Sequence, residues 1–275
     1  MTAAADALTT LRLMAAPLLP LPVLPPDDYT IGHALFEARS DQRATVIRWL
    51  IQLLKARASD ATRVLSIGCG DGTVDVELAR ALTRLKKPVH YDGVEPNHAS
   101  GRLFLERLRR VPGVSASVSA LRFHEHIPTD RRYDVVLAVH SLYYVPDLAK
   151  ALESALELLA PGGVLVVLHA PHGALNQLVG VLAPSQGQQF SEAVAEALTT
   201  QNASSRCERL NATLDMATRG DGDDDRRAME FAVQVSTPES LRPAILEVLR
   251  AISLPGPGLR IPHPLDGFVI EATRE

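Results

Sequence analysis

Three glycines at alternate positions, Gly68, Gly70 and Gly72, form the part of the sequence best suited to holding a ligand. They follow a short apolar stretch rich in branched residues, which predicts a buried strand. The residues after them have the spacing of an amphipathic helix. Strand, glycine turn and helix predict the first unit of a doubly wound α/β fold, whose ligands bind at the carboxyl ends of the strands. Glycine lets the backbone approach such a ligand and permits positive φ in a tight turn.

The spacing of these glycines indicates which ligand they hold. A dinucleotide site has the pattern Gly-x-Gly-x-x-Gly, whereas here the third glycine is Gly72 and position 73 is Thr. A phosphate loop needs Gly-Lys-Ser/Thr, which is absent. The pattern Gly-x-Gly-x-Gly favours a cofactor without a pyrophosphate and resembles the loop of class I methyltransferases, which bind S-adenosylmethionine (SAM). An NAD oxidoreductase is an alternative that the spacing disfavours.

Glu95 is the acidic residue expected at the end of the second strand, which residues 90–95 predict. A carboxylate at this place accepts hydrogen bonds from both ribose hydroxyls of NAD or of SAM. It can instead complement the dipole of the helix that follows Pro96. The order of strand, glycine loop, strand and acid favours the cofactor interpretation.

The remaining pattern predicts a Rossmann-like α/β fold of seven strands with helices on both faces. This order of strands and helices resembles the class I methyltransferase sheet, and the resemblance implies an antiparallel last strand. Residues 1–60 are expected to form an N-terminal arm and helices that cap the substrate side. The arm, 1–26, is expected to be irregular and either to pack on the domain or to close over the site. Residues 61–275 are expected to form the SAM-binding core, in a chain with a single domain overall. The expected strands are 63–69, 90–95, one within 115–124, 133–140, 164–169, 208–216 and 267–272.

The amino-acid composition limits the kinds of binding partner and the cellular compartment that can be expected for this protein. The net charge of −4 argues against nucleic acid, which leaves a basic footprint on its binding proteins. The two cysteines, Cys69 in the glycine loop and Cys207, are poorly placed for a disulfide and suit a reducing cytoplasm. No apolar run reaches the length of a membrane span. We therefore expect a cytoplasmic monomer or homodimer whose partner is a small molecule, with no nucleic acid and no membrane.

Five stretches carry a closer resemblance: residues 65–68, 94–96, 141–147, 268–272 and the acidic loop 221–225. Together they are similar to the histamine N-methyltransferase family. Two of them, Leu-Tyr-Tyr-Val at 142–145 and Phe-Val-Ile-Glu-Ala at 268–272, contain residues outside the general SAM motifs. The resemblance runs from about Tyr29 to the C-terminus. It implies cofactor contacts from the glycine loop, the acid after strand two, a polar segment after strand three and the end of strand four. The implied cofactor residues are Ser66, Gly68, Cys69, Gly70, Glu95, Pro96, Asn97, His124 and Val139.

The same resemblance implies a substrate pocket. Where the family has a glutamate in its N-terminal helices, a glutamine before Leu-Tyr-Tyr-Val and an asparagine before the last strand, this sequence has Asp41, His140 and His263. Two histidines in place of amides argue against histamine itself. His169 and His172 flank the end of strand five and can also face the pocket. The expected substrate residues are Tyr29, Phe36, Asp41, His140, Tyr143, Tyr144, His172 and His263.

His140 is the expected catalytic residue because it follows strand four, at the mouth of the site. Methyl transfer is an in-line displacement, and alignment of the reactants lowers its barrier. A neutral amine needs little base catalysis, whereas a phenol or alcohol benefits from a base such as His. His140 is therefore a base, an orienting group, or a residue that only hydrogen-bonds SAM or backbone. Tyr143 and Tyr144 can form a wall for an aromatic or cationic substrate, or pack in the core.

Two patterns that suggest metal sites lack the full set of ligands. The stretch His124-Glu125-His126 would place two histidines on one face of a strand, but no third ligand is spaced to match. The stretch 221–225 begins like a calcium loop, yet Arg226 and Ala232 occupy the positions that require Gly and Glu. We expect a solvated acidic loop there and no metal.

The sequence thus predicts a SAM-dependent methyltransferase acting on a nitrogen or oxygen of a small amine or a phenol- or hydroxyl-type acceptor. The alternative is a SAM-bound protein of the same fold that does not transfer methyl groups, either a cyclase or a binding subunit. Turnover of SAM to S-adenosylhomocysteine separates the two.

Overall fold

The computed structural model describes residues 2–55, 62–84, 88–125, 131–143, 145–184, 188–216 and 222–272. The chain divides into two compact units. The helical unit consists of Met1–Arg43, Pro171–Gln188 and Asn211–Pro264. The sheet unit consists of Ala44–Ala170, Gln189–Leu210 and Leu265–Glu275. The single-domain organisation with a boundary near residue 60 stays a prediction.

Seven of the described strands form one mixed sheet, in the order β3-β2-β1-β4-β5-β9-β6. Strands β1 to β5 pair in parallel with one another, whereas β9 is antiparallel to both β5 and β6. This confirms the predicted sheet and its antiparallel last strand. In chain order the strands are β1 (Thr62–Ile67), β2 (Val89–Val94), β3 (Val114–Ser119), β4 (Tyr133–Val139), β5 (Leu159–His169), β6 (Ser205–Leu210), β7 (Thr213–Met216), β8 (Leu259–Pro262) and β9 (Leu265–Glu271).

Apolar cores lie on both faces of the sheet, as expected for parallel strands covered by helices. One core contains Val64, Leu137 and Val166, and the other contains Leu65 and Val136. The helices in chain order are α1 (Thr2–Ala15), α2 (Pro26–Arg39), α3 (Gln42–Lys55), α4 (Thr73–Thr83), α5 (His98–Arg109), α6 (Leu148–Glu157), α7 (Ala174–Leu182), α8 (Ser191–Thr200), α9 (Asp223–Val233) and α10 (Arg242–Ile252). Among the described helices, none has the length and apolarity needed to cross a membrane.

The expectation of an irregular arm over residues 1–26 is wrong for its first half. Residues 2–15 form α1, and Leu8, Leu11 and Ala15 on one face of this helix are buried in the core of the helical unit. Helical spacing of small apolar residues therefore decides the local structure here. The proline-rich part that follows, up to the start of α2, is irregular as expected, apart from one short 3₁₀ turn, Ala16–Leu18.

Two further expectations about the C-terminal half are wrong. The strand expected at 208–216 is two strands, because β6 ends at Leu210 in the large sheet and β7 pairs with β8 in a small antiparallel sheet. The solvated loop expected at 221–225 is instead the start of α9, whose first turn contains Asp223, Asp224 and Asp225. Three carboxylates complement the positive end of a helix dipole, which favours a helix start at this place. Residue 221 lies outside the described residues.

The segment after β3 differs from the extended structure considered for it. The strand ends at Ser119, and His124 lies on a short 3₁₀ helix, Phe123–Glu125. A strand face carrying two histidines is therefore absent from the described part of this segment, and His126 lies outside it.

Candidate active site

The glycine loop after β1 takes a backbone conformation that requires glycine. The φ angles of Gly68, Gly70 and Gly72 are 63°, 55° and 75°. A Cβ atom on Gly68 would lie 2.4 Å from the Cβ of Ser141, and one on Gly72 would lie 2.9 Å from Phe104. A Cβ on Gly70 would meet nothing within 4 Å. Gly68 and Gly72 are therefore needed for packing, whereas Gly70 borders open space at the carboxyl end of β1.

Glu95 joins the glycine loop to the end of β2. Its Oε2 accepts a hydrogen bond from the backbone N–H of Gly70 at 2.9 Å, and its Oε1 accepts one from Asn97 N at 2.9 Å. Asn97 in turn caps α5 by accepting from the backbone N–H of Ala99 and Ser100. A carboxylate offers about four acceptor positions. Glu95 thus retains acceptor capacity for ribose hydroxyls while it holds the loop.

A second carboxylate ties the glycine loop to α5. Asp71 accepts hydrogen bonds from the N–H and hydroxyl of Thr73 at 3.1 and 2.7 Å, and its Oδ2 lies 2.6 Å from Arg107 Nη1. Burial favours the protonated acid, but the hydrogen bonds from Thr73 and Arg107 outweigh it and lower the pKa of Asp71. This group was not among the residues expected from the sequence. The signal was present as Asp-x-Thr at a helix start, a common local hydrogen-bonding pattern.

Asp75 is a buried carboxylate beneath the glycine loop, and it was also missed. It is 4% exposed, and Tyr91 Oη donates to its Oδ1 at 3.0 Å. Burial is the main cause that raises the pKa of Asp75 to about 6, against hydrogen bonds from Ser66 and Tyr91. Its position on the apolar stripe of α4, three residues before Leu78, was the available signal. Ser66 is itself 5% exposed, so its cofactor contact stays a prediction.

Cys69, inside the same loop, has an unreactive thiol. The side chain is buried, and desolvation together with the nearby Asp75 and Glu95 raises the pKa of this thiol far above its ordinary value. The neutral thiol is not a nucleophile at physiological pH. Cys69 can therefore contribute to cofactor binding only through its backbone and its shape.

The loop after β4 brings His140 and Tyr143 together. His140 has a φ of 53° and donates its backbone N–H to Leu168 O at 3.0 Å. Its Nδ1 lies 2.9 Å from Tyr143 Oη, which accepts a hydrogen bond from Ala170 N at 3.0 Å. The side chain of His140 is exposed, and Val139, the last residue of β4, is half-buried. The predicted catalytic histidine is thus an accessible side chain held by a tyrosine.

His169 does not face a pocket as the sequence suggested. It is 0% exposed, and its ring stacks on Tyr143 with ring centroids 4.0 Å apart. Its Nε2 donates to Gln189 O at 2.8 Å, and Gln189 N donates to Tyr143 O at 3.1 Å. Burial lowers the pKa of His169 to about 4, so the ring is neutral at physiological pH.

The other expected cofactor residues lie on two elements. Pro96 and Asn97 are exposed between β2 and α5, directly after Glu95. His124 is exposed on its 3₁₀ helix, with Nε2 3.9 Å from the Glu125 carboxylate. Their contacts with a cofactor stay predictions.

Three of the expected substrate residues, Tyr29, Phe36 and His263, belong to a ring cluster in the helical unit. Tyr29 and Phe36 of α2 pack against Phe231 of α9, with ring centroids 5.1 and 5.3 Å apart. The rings of His263 and Phe36 are nearly perpendicular, with centroids 5.0 Å apart and an interplanar angle of 89°. Burial lowers the pKa of His263 to about 4, so a neutral imidazole is expected in this cluster. Phe36 is buried, whereas Tyr29 is 42% exposed, and the role of these side chains towards a substrate stays a prediction.

The remaining expected substrate residues are less closely connected. The carboxylate of Asp41 accepts the backbone N–H of Thr213 at 2.7 Å, which connects the start of α3 with β7. His172 is exposed in the segment before α7. Tyr144 lies outside the described residues. In the described ranges no three His, Cys, Asp or Glu side chains are grouped so that they could hold a metal ion.

Comparison with known families decides the class of this site. The family described as "Methyltransferase domain" matches residues 38–202, which include the glycine loop, Glu95 and His140. The chain belongs to this methyltransferase family. The predicted methyltransferase class and its cofactor, SAM, are thereby confirmed at the level of the family. The closer resemblance to histamine N-methyltransferases stays a prediction.

One curated relative and two solved structures illustrate the similarity. The chain is 31% identical over 134 residues to phthiotriol/phenolphthiotriol dimycocerosates methyltransferase 1 of Mycobacterium ulcerans, a match that covers 47% of this chain and 46% of that protein. The fold is similar to YcgJ of Bacillus subtilis, with a TM-score of 0.57, 15% identity, and coverage of 83% and 99% of the two chains. It is also similar to the plantazolicin methyltransferase BpumL solved with S-adenosylhomocysteine, with a TM-score of 0.52, 10% identity, and coverage of 98% and 97%.

Proposed function

We propose that this protein transfers a methyl group from SAM to a nitrogen or oxygen atom of a small molecule, an amine or a hydroxyl compound such as a phenol. The observation that carries the proposal is the joined pair of glycine loop and Glu95, with open space at Gly70. The acceptor is expected to differ from histamine, because His140 and His263 replace two amides of the family that the sequence resembles. The protein is proposed to act as a cytoplasmic monomer or homodimer without nucleic acid or membrane.

The residues at the carboxyl ends of β1, β2 and β4 suit the cofactor chemically. The backbone of Gly68 to Gly70 would lie against the methionine part, and the free acceptor positions of Glu95 would receive the ribose hydroxyls. Val139 would give an apolar contact at the end of β4. When bound, SAM supplies an electrophilic methyl group on a sulfonium sulfur. The chain's own residues bind the cofactor, align the acceptor with it and exclude water.

His140 is the residue proposed to act on the acceptor. Its exposed imidazole lies at the carboxyl end of β4 and is held at Nδ1 by Tyr143. It either removes a proton from a hydroxyl acceptor or aligns an acceptor by a hydrogen bond. The curated relative is named for a triol and a phenol-bearing triol, so hydroxyl compounds belong beside amines in an acceptor screen.

Calorimetric titration with SAM and S-adenosylhomocysteine tests the cofactor site. We expect micromolar binding by the native protein and at least about tenfold weaker binding by Glu95→Ala, equivalent to about 1.4 kcal/mol. Glu77→Gln changes a half-buried carboxylate on α4 that pairs with Arg80; it is the matched control and should bind as the native protein does. Absence of binding to either ligand would contradict the proposal.

Turnover then separates the proposal from its alternative, a SAM-bound protein of this fold that transfers no methyl group. The protein is incubated with SAM and a panel of amines and phenols, and S-adenosylhomocysteine and methylated acceptor are measured together. Formation of both in equal amounts supports the proposal. Tight SAM binding with no turnover of any acceptor favours a cyclase or a binding subunit.

A further inference from the structure

Tyr143 is held in place on three sides. Its ring stacks on the buried His169 at 4.0 Å and 26°. Its Oη accepts a hydrogen bond from Ala170 N, and its main-chain oxygen accepts one from Gln189 N. The side chain of Gln189 adds a hydrogen bond to Val145 O at 2.9 Å. The phenol of Tyr143 is therefore fixed relative to the ends of β4 and β5.

His169 contributes rigidity to this arrangement without adding charge. Because Gln189 O can only accept, the proton of His169 lies on Nε2. Its Nδ1 is buried and has no hydrogen-bond partner among the described residues. One flat, neutral ring, that of His169, thus stacks on Tyr143, the residue that contacts His140.

The contact between Tyr143 and His140 has a preferred direction. An imidazole nitrogen is a stronger base than a phenol oxygen, and a phenol O–H is a stronger acid than a neutral imidazole N–H. Tyr143 Oη already accepts a hydrogen bond from the backbone N–H of Ala170. Its hydroxyl proton is therefore expected to be donated to His140 Nδ1, which lies 2.9 Å away. A neutral imidazole carries one proton, which then lies on Nε2.

The backbone conformation of His140 indicates that its position is constrained for function. Its φ of 53° is in the left-handed region, which is uncommon for residues other than glycine. Such conformations are retained where surrounding contacts require them, often at functional sites. Here the hydrogen bond from His140 N to Leu168 O and the contact of Nδ1 with Tyr143 both hold the residue.

We propose that Tyr143 is a positioning residue that fixes His140 with its proton on Nε2, so that His140 meets the methyl acceptor as a hydrogen-bond donor. The inference rests on the proposed methyl transfer and makes it more specific. It predicts acceptor molecules that carry a carbonyl, carboxylate or ether oxygen near the atom that is methylated. It also assigns His140 to alignment of the acceptor and not to proton removal.

Nitrogen-15 NMR of histidine-labelled protein tests the tautomer directly, without cofactor or acceptor. His140→Gln identifies the two nitrogen resonances of His140 in the native spectrum, recorded at a pH where the ring is neutral. We expect Nε2 to be protonated and Nδ1 to be an unprotonated acceptor. In Tyr143→Phe, the Nδ1 resonance should move towards that of an imidazole with no hydrogen bond at this nitrogen.

Protonated Nδ1 in the native protein would overturn the inference, whatever becomes of the variant. An unchanged His140 spectrum in a folded Tyr143→Phe variant would overturn it as well. Because these spectra require neither SAM binding nor turnover, their result is independent of the titration and turnover assays. Failure of the proposed function and failure of this inference are therefore distinguishable.

Kinetics give a second, separate readout once an acceptor is known. Gln retains a hydrogen-bond donor at position 140 and Leu does not, so His140→Gln should keep more activity than His140→Leu at every pH. Tyr143→Phe should raise the KM for the acceptor about three- to tenfold with little change in kcat or pH profile, the effect of one weakened hydrogen bond. Activity of His140→Gln that falls at neutral pH and recovers as pH rises would show a base and overturn the donor role.

Discussion

Replacement of Asp75 by Asn tests the buried carboxylate beneath the glycine loop. Asp75 is 4% exposed, and burial raises its pKa from 3.8 to about 6. When folding raises the pKa of a carboxyl group, that group contributes more to the stability of the fold at a pH below its unfolded pKa than at higher pH. That contribution is lost as pH rises from about 4 through about 6. At neutral pH the ionised Asp75 therefore lowers the free energy of unfolding.

The size of the effect follows from the shift in pKa. A difference of about 2 units corresponds to about 3 kcal/mol at a pH above both values. Asn keeps an acceptor oxygen for the Tyr91 hydroxyl, which donates to Asp75 in the native protein, and it has no charge to bury. We expect Asp75→Asn to match the native stability near pH 4 and to exceed it by up to about 3 kcal/mol at pH 8.

Urea unfolding at a series of pH values, with variant and native protein compared at each, is the appropriate assay. Burial lowers the pKa values of His169 and His263 to about 4, so these residues change the free energy of unfolding with pH in the direction opposite to Asp75. Both proteins contain them, so comparing variant with native protein at each pH removes their effect. Their contribution is present above pH 6.5 and is lost as pH falls through 4. Glu77→Gln on the same helix is the control and should stay within about 0.5 kcal/mol of native throughout. A variant less stable than native at pH 8 by more than about 1 kcal/mol would refute the reasoning, because Tyr91 and Ser66 would then outweigh desolvation.

Two further perturbations address the loop and the buried imidazole. Gly70→Ala should cost about 1–2 kcal/mol of stability from its positive φ alone, whereas Gly72→Ala should cost more, because its Cβ also approaches Phe104 to 2.9 Å. Equal losses in urea unfolding would contradict this ranking. His169→Phe should lose about 1–2 kcal/mol at pH 7, since the carbonyl of Gln189 loses its donor. As pH is lowered from 6.5 to 4, the free energy of unfolding of the variant should fall less than that of the native protein. An equal fall in both proteins would show that His169 does not titrate in this range.

Much of the sheet unit could be predicted because its evidence is local. Strands β1, β4 and β5 are buried on both faces, so each is a nearly continuous apolar run in the sequence. Gly68, Gly70 and Glu95 stand at the ends of such runs, where parallel strands place ligand-binding loops. The strands of the large sheet could therefore be located from residue order. Its antiparallel last strand and the methyltransferase class followed from the resemblance of these motifs to class I methyltransferases.

The helical unit was harder to predict because its elements depend on distant partners. Residues 223–225 are acidic enough to indicate a solvated loop, yet Asp225 is buried with its Oδ1 3.5 Å from Arg39 Nε. Residues 208–216 are one extended stretch in sequence. They divide at 211–212 because β6 pairs with β9, whereas β7 pairs with β8.

The polar groups of the site divide in the same way. The sequence by itself determined the glycine loop and Glu95, since their backbone and charge requirements are expressed within a few neighbouring residues. Only the tertiary structure decided that Asp75 is buried with Tyr91, and that Tyr143 joins His140 to Ala170. Desolvation and hydrogen bonding depend on side chains that approach from other strands and loops. Residue types and their spacing in sequence do not determine how close such side chains come in the folded protein.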